Sequence, residues 1–284
     1  GGADGRTGFV VRAAGTRWMG SLALTGRTVN DAETSDSQSA WVGRTSRLLL
    51  AGDGYNLHAG ASGTWVIHPA DAGLDATGAR YGVRFRNQPE LRVDSTRLID
   101  TGTINADHAY AAGLELAGQW HALTLQGERF WYGIDRYGNA PANPRFSAWY
   151  AEGSWMLTGE RRRYNAASGS YQNPRPFINA LSGGGAGAWE LALRYSHADL
   201  DSLAGSAGEA APKGGVRGGV QDIWTLGVNW YLNANLKMLF DYLRIDVNRL
   251  SPGGTAFGDG FTPPAGAQVG QGLSAWALRT QLTY

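Results

Sequence analysis

Apolar and polar residues alternate with a period of two along most of this chain. The last eleven residues, SAWALRTQLTY, show it most clearly. Trp276, Leu278, Thr280, Leu282 and Tyr284 fall on one face of an extended strand, and Ala277, Arg279, Gln281 and Thr283 fall on the other. A strand that is apolar on one side, polar on the other and closed by an aromatic residue suits a wall with lipid outside and water inside. The same alternation predicts about eleven strands: 7–13, 17–28, 38–49, 55–67, 108–119, 121–133, 146–157, 188–199, 221–232, 235–247 and 274–284. Most have the length that a tilted strand needs to cross hydrocarbon.

The connections sort into two length classes. Short turns fall at 14–16, 51–54, around Trp120 and at 233–234. Long ones fall at 29–37, 68–107, 200–220 and 248–273. Outer-membrane barrels have short periplasmic turns and longer outer loops. With Tyr284 periplasmic, every short turn is periplasmic too. The exception is 158–187, a long connection on the same side, which needs another role, such as folding into the lumen. Aromatic spacing agrees with a span: Trp276 and Tyr284 are about 20 Å apart along the membrane normal at about 3.3 Å per residue and a tilt near 40°.

Composition adds three constraints. The 42 Gly, 11 Trp and 12 Tyr suit many turns and interfacial anchors. With no Cys there is no disulfide framework and no thiolate metal site. The formal net charge of +1 leaves no footprint for nucleic-acid binding. The longest aliphatic run, 48–51, is far too short for a membrane-spanning helix. The fold class expected is therefore all-β, a transmembrane antiparallel β-barrel.

Several segments resemble the phosphate-selective porins, the porin O/P type of Gram-negative outer membranes. The strongest are WYAEGSWMLTGERRRY (149–164), GAWELALRYSHADL (187–200), TLGVNWYLNANLKMLFDYLRID (225–246) and ALRTQLTY at the end. Weaker ones cover 83–118 and 57–63. The resemblance implies a sixteen-stranded barrel in the outer membrane, a homotrimer, that passes phosphate or polyphosphate passively along an arginine ladder, narrowed by inward-folded basic loops. Sixteen strands at about 26 residues each need about 410 residues. Residues 1–284, which open GGADG, are accordingly expected to be one barrel domain, the C-terminal portion of a longer porin. Lipid and lipopolysaccharide are the expected surroundings, and no cofactor is expected.

Anion passage needs cations in a narrow path, and the planar fork of Arg matches two phosphate oxygens. The strand faces nominate Arg12, Arg27, Arg44, Arg194, Lys237 and Arg279 for the lumen. Within the longest outer connection, Arg80, Gly82, Arg84 and Arg86 share one side of an extended piece, with Tyr81, Val83 and Phe85 on the other. The resemblance makes this an inward-folded constriction, with Arg84, Arg86 and Arg92 its foremost anion ligands. Arg161, Arg162, Arg163 and Arg175 form a second basic cluster, on the periplasmic side. Glu115, Glu128, Glu152, Glu190 and Asp241 face the same lumen; they either hold the arginines in place or cancel their field, which would leave a general porin.

An enzyme is not expected. The five histidines form no i, i+4 zinc pair, and no GxSxG or P-loop motif is present. Asp199 and Asp201 alone are too few for a Ca²⁺ site. A structural or adhesive barrel finds no repeat or adhesion signature to support it.

Overall fold

The computed structural model describes residues 6–28, 38–73, 78–91, 96–181, 183–253 and 263–283, without the side chains of 27 and 28. The described residues form strands and connections and no helix. The long strands are β1 (Arg6–Ala14), β2 (Trp18–Thr28), β3 (Ser39–Gly52) and β4 (Tyr55–His68). Three short ones follow in the next connection: β5 (Gly82–Val83), β6 (Arg86–Asn87) and β7 (Ile99–Asp100). Then come β8 (Ile104–Trp120), β9 (Leu123–Arg136) and β10 (Arg145–Met156). Another short pair, β11 (Tyr164–Asn165) and β12 (Ser170–Tyr171), precedes β13 (Ala188–Ser202), β14 (Val216–Tyr231), β15 (Leu236–Asn248) and β16 (Gly272–Leu282).

All eleven expected strands are present. They lie side by side in the order β1-β2-β3-β4-β8-β9-β10-β13-β14-β15-β16, and β5 pairs onto β8. Each long strand is antiparallel to its neighbour. The topology is an up-and-down meander, which needs only local connections. Among the described residues β1 and β16 are not paired with each other.

Boundaries shift where turns take special backbone. Strand β9 starts at Leu123 rather than at 121, because His121 adopts a φ of 50° in the turn. The β3–β4 turn, Asp53–Gly54, uses Gly54 at φ 81°, the left-handed conformation that a tight Asp-Gly hairpin requires. Strands β13 and β14 outrun their expected outer ends, since Ser202 still pairs with Val216 beyond a bulge.

Register fixes the faces. Trp149 lies opposite Arg129 and His197, Tyr195 opposite Trp224, and Tyr242 opposite Trp276. These side chains point outward together with Leu193, Leu226 and Leu278. Trp276 and Leu278 are each 67% exposed, which makes this an apolar outward belt. Aromatics stack in two outward tiers. Trp189 and Trp230 stack at 5.2 Å near the short turns. Tyr195 and Trp224 stand 4.7 Å apart higher on the same strands. Six residues of β14 separate Trp230 from Trp224, about 15 Å along the membrane normal at the usual rise and tilt. Tyr284, the other half of the expected aromatic pair, lies outside the described residues.

The opposite face is covered from within by two connections. The 69–103 connection presses Val83 and Phe85 onto Ile104, Ala106, Ile134 and Phe146. Farther along, Leu91 and Leu98 rest on Ile223, Leu243 and Ile245 of β14 and β15. The 157–187 connection covers the other end.

The faces make a stability prediction. Leu226 points outward between the two aromatic tiers, and Ala277 points inward beside Asp241. Leu226→Arg should destabilise the full-length protein by about 2–4 kcal/mol in urea titrations in lipid vesicles, while Ala277→Arg should cost under about 1 kcal/mol. Equal costs would mean that the faces are assigned the wrong way round.

Candidate pore and its constrictions

The 157–187 connection crosses the inward face and is tied to strands on both sides. Its anchor is Arg162. The guanidinium gives Nε and Nη2 to the Glu190 carboxylate on β13, with the shortest contact at 2.6 Å. Glu190 is wholly buried, and Tyr231 Oη (2.7 Å) and Asn229 Nδ2 (3.0 Å) also donate to it. A buried carboxylate is tolerated only when paired and hydrogen-bonded, and here it is both. Next to this clamp, Lys237 Nζ donates to Asn173 of the insert at 3.2 Å.

The tip of the insert, the β11–β12 hairpin, docks on the far side of the face. Arg44 of β3 donates to the carbonyls of Ser168 and Gly169, both at 2.9 Å, and to Glu115 of β8 at 2.7 Å. Arg12 of β1 donates to the Ala167 carbonyl. His58 Nδ1 pairs with the Tyr164 hydroxyl at 2.6 Å, while its Nε2 lies 3.1 Å from Glu115. The Tyr171 hydroxyl donates to Asn56. The folding-in that suits this segment is thus observed.

The outer constriction is built on the 69–103 connection. Arg80 makes a forked contact with Asp71, and Arg84 does the same with Asp100. Arg80 holds the Asp71 carboxyl below its usual range. Burial pushes Asp100 up, but Arg84 and the Gly102 N–H outweigh it and keep its carboxyl low. Val83 and Phe85 turn the other way, as the alternation predicts, whereas Tyr81 lies beside Arg80, whose guanidinium is 5.0 Å from its ring centre. Tyr81 meets Tyr137 and Phe85 meets Tyr132 with tilted rings, and Phe85 meets Phe146 edge to face. The loop is tied to the wall by Glu90, which accepts from Arg194 of β13 at 3.1 Å. Arg194 also reaches Glu152 at 3.2 Å and lies 3.7 Å over the Tyr150 ring. Arg194 and Glu190 are four residues apart on β13, which puts the two constrictions about 10 Å apart along the membrane normal.

Pairing divides the expected cations into groups. Arg44, Arg80, Arg84, Arg161, Arg162 and Arg194 each have a carboxylate partner; that of Arg161 is Asp53, at 3.1 Å. Arg12 and Lys237 donate to neutral oxygens. Arg86, Arg163, Arg175 and Arg279 make no ion pair among the described residues. Arg92 and the Arg27 side chain lie outside the described residues.

Sequence reading named Arg84 but missed the other members of a third group. Arg84, Arg136, Arg217 and Arg249 line a cavity of about 530 Å³ where the outer loops meet. Arg217 gives its donors to the carbonyls of Ala204, Ser251, Ser206 and Glu209. Arg249 gives its donors to Arg217, Leu98 and Asp100 carbonyls. These buried guanidiniums bind three connections into one body. Their one sequence signal is position: each stands at the outer end of a strand.

The chain matches the family of phosphate-selective porin O and P over residues 4–252. It belongs to that family. Its relatives include an uncharacterized protein of Caulobacter vibrioides, 30% identical over 69% of this chain and 35% of that one. Another is Porin O of Pseudomonas aeruginosa, 26% identical over 52% of this chain and 33% of that one. The chain spans about a third of the length of these relatives. Family membership makes it a porin-type transmembrane β-barrel of a Gram-negative outer membrane.

Two predictions test the constrictions. Arg162→Leu strands a buried Glu190 and should cost about 3–5 kcal/mol, while Arg162→Met with Glu190→Leu should recover most of that loss in urea titrations of the full-length protein. A single variant as stable as the parent would mean that the clamp does not seat the insert. The second concerns acid. Asp71 and Asp100 both have lowered carboxyl pKa values in the folded state. Their contribution is present above the ordinary carboxylate range and is lost as pH falls through the lowered values. Amide exchange over 78–91 and 96–102 should therefore rise beyond its intrinsic pH dependence below about pH 4. Unchanged protection at about pH 2 would show that these pairs do not hold the loop.

Proposed function

We propose that the protein is an outer-membrane porin for passive diffusion of small anions, with phosphate or polyphosphate as the preferred solute. The supporting observation is the charge left after pairing. Every inward carboxylate named above except Asp241 accepts a hydrogen bond from Arg, Gln or Tyr: Glu115 from Arg44, Glu128 from Tyr150, Glu152 from Gln126 and Arg194, and Glu190 from Arg162. Arg12, Arg86, Lys237 and Arg279 keep cationic donors along the route, and Arg163 and Arg175 add to them on the insert. A series of such groups, none saturated by carboxylates, gives the weak multi-site attraction that conduction needs. Phosphate suits Arg because the guanidinium offers it two parallel N–H donors. A homotrimer with lipopolysaccharide against its outward belt is part of the same proposal.

A second reading has its own support. The wall cations Arg44 and Arg194 are held by Glu115 and by Glu90 and Glu152. If that pairing removes their field, the pore is a general one with little preference.

Arg86 and Arg279 are the residues to change, because neither holds the fold through an ion pair; Arg84→Glu would also break the Asp100 tie. Arg86→Gln with Arg279→Gln should weaken phosphate block of chloride current by about tenfold or more, the equivalent of one lost charge-assisted hydrogen bond. The measurement is single-channel current of the full-length protein with phosphate titrated in. Saturable block of the parent that the double variant leaves unchanged would remove these two residues from the path. No block of the parent would favour the general porin.

A further inference from the structure

The lumen-crossing insert carries an apolar patch that the pore does not use. Phe177 is 73% exposed, Ile178 58% and Leu181 63%. They lie within five residues, next to Pro174, which is fully buried. The segment is well held. The Phe177 N–H donates to the buried Glu160 carboxylate at 3.1 Å, and the Thr158 hydroxyl donates to the same carboxylate. The Ala180 N–H donates to the Leu232 carbonyl at the periplasmic end of β14 at 2.8 Å. Apolar side chains presented to water from a fixed backbone call for an occupant.

The path of the chain identifies it. Beyond the patch, the Ala186 carbonyl accepts both indole N–H groups of the stacked outward pair, Trp189 at 3.0 Å and Trp230 at 2.8 Å. The insert thus leaves the inward face and passes over the rim to the side that meets lipid. The patch precedes that crossing. On the same outward rim stand Trp155, 54% exposed, and Leu157, 50% exposed, and Phe177 lies against Gly159 just after them. Through Phe177 the apolar patch therefore adjoins the outward rim just beyond Trp155 and Leu157. Aromatic and aliphatic side chains at such a level partition into the boundary between headgroups and acyl chains.

We infer that Phe177, Ile178 and Leu181 seat in the periplasmic phospholipid leaflet and anchor the outer leg of the insert to the membrane. Arg162 would then hold the insert from the lumen side and this patch from the lipid side, so that the segment straddles the wall. A periplasmic protein or a second copy of the chain is the competing occupant.

This stretch has no Cys, so an introduced one is unique within it. The test places nitroxide labels at Phe177→Cys, Ile178→Cys and Leu181→Cys, one at a time, in the full-length protein in phosphatidylethanolamine–phosphatidylglycerol vesicles. Leu278→Cys serves as the lipid reference and Asn139→Cys, in an outer turn, as the water reference. Collision with oxygen and with a water-soluble nickel chelate is read from spin relaxation. All three side chains are exposed, so each substitution leaves the fold intact. The expected ratio of oxygen to nickel accessibility lies well above that at 139 and near that at 278. Ratios matching 139 would put the patch in water and overturn the inference. Protection from both reagents would put it against protein, which overturns it equally.

Discussion

A carboxylate with no access to water sits in the wall of this barrel, and much of the inner architecture follows from how it is satisfied. Glu190 would be untenable alone. Arg162, Tyr231 and Asn229 converge on it, and only Arg162 comes from outside the wall. To bring that guanidinium in, the chain between β10 and β13 must enter the lumen instead of turning tightly at the rim. Once there it meets Arg12, Arg44, His58 and Asn56 on the opposite strands, which satisfy its own backbone and hydroxyl groups. Wall and insert therefore depend on each other: neither set of buried polar groups is complete without the other.

The same economy governs the outer constriction. A loop held inside a pore loses conformational entropy, and contacts with the wall must exceed that loss. Here Phe85, Leu91 and Leu98 provide apolar contact, while the Arg80–Asp71, Arg84–Asp100 and Arg194–Glu90 pairs fix the route. Cations used for fixing are less available for solute. The arginines in this barrel thus divide between staples and lining. Arg217 and Arg249 are staples, Arg86 and Arg279 make no ion pair among the described residues and are the proposed lining, and Arg194 is both a staple and a wall cation.

That division marks how far the sequence could be read. The eleven long strands and their faces were legible because lipid outside and water inside impose strict alternation on each strand, and a slip of one residue would invert all of it. The segment 158–187 stood out by topology, since a long connection stood where short turns belong, and folding into the lumen was one role that suited it. The short strands β5–β7 and β11–β12 were not, because two residues hold no period. Nor were the partners of Arg80 and Arg84. Asp71 and Asp100 lie 9 and 16 residues away along an irregular connection, where no spacing rule joins a cation to its anion. Arg217 and Arg249 passed unnoticed because their acceptors are backbone carbonyls, which every residue has.

What the pore does to ions depends on the charge that remains after pairing, so ion preference tests the account most directly. The measurement is the reversal potential of the full-length protein in a planar bilayer under a tenfold potassium chloride gradient. The expected potential is displaced toward the chloride equilibrium value, because the inward carboxylates other than Asp241 are engaged while Arg12, Arg86, Lys237 and Arg279 make no ion pair among the described residues. A potential at zero, or displaced toward potassium, would contradict it. The carboxylates would then dominate the lumen, and the arginines would serve only to hold the barrel's interior together.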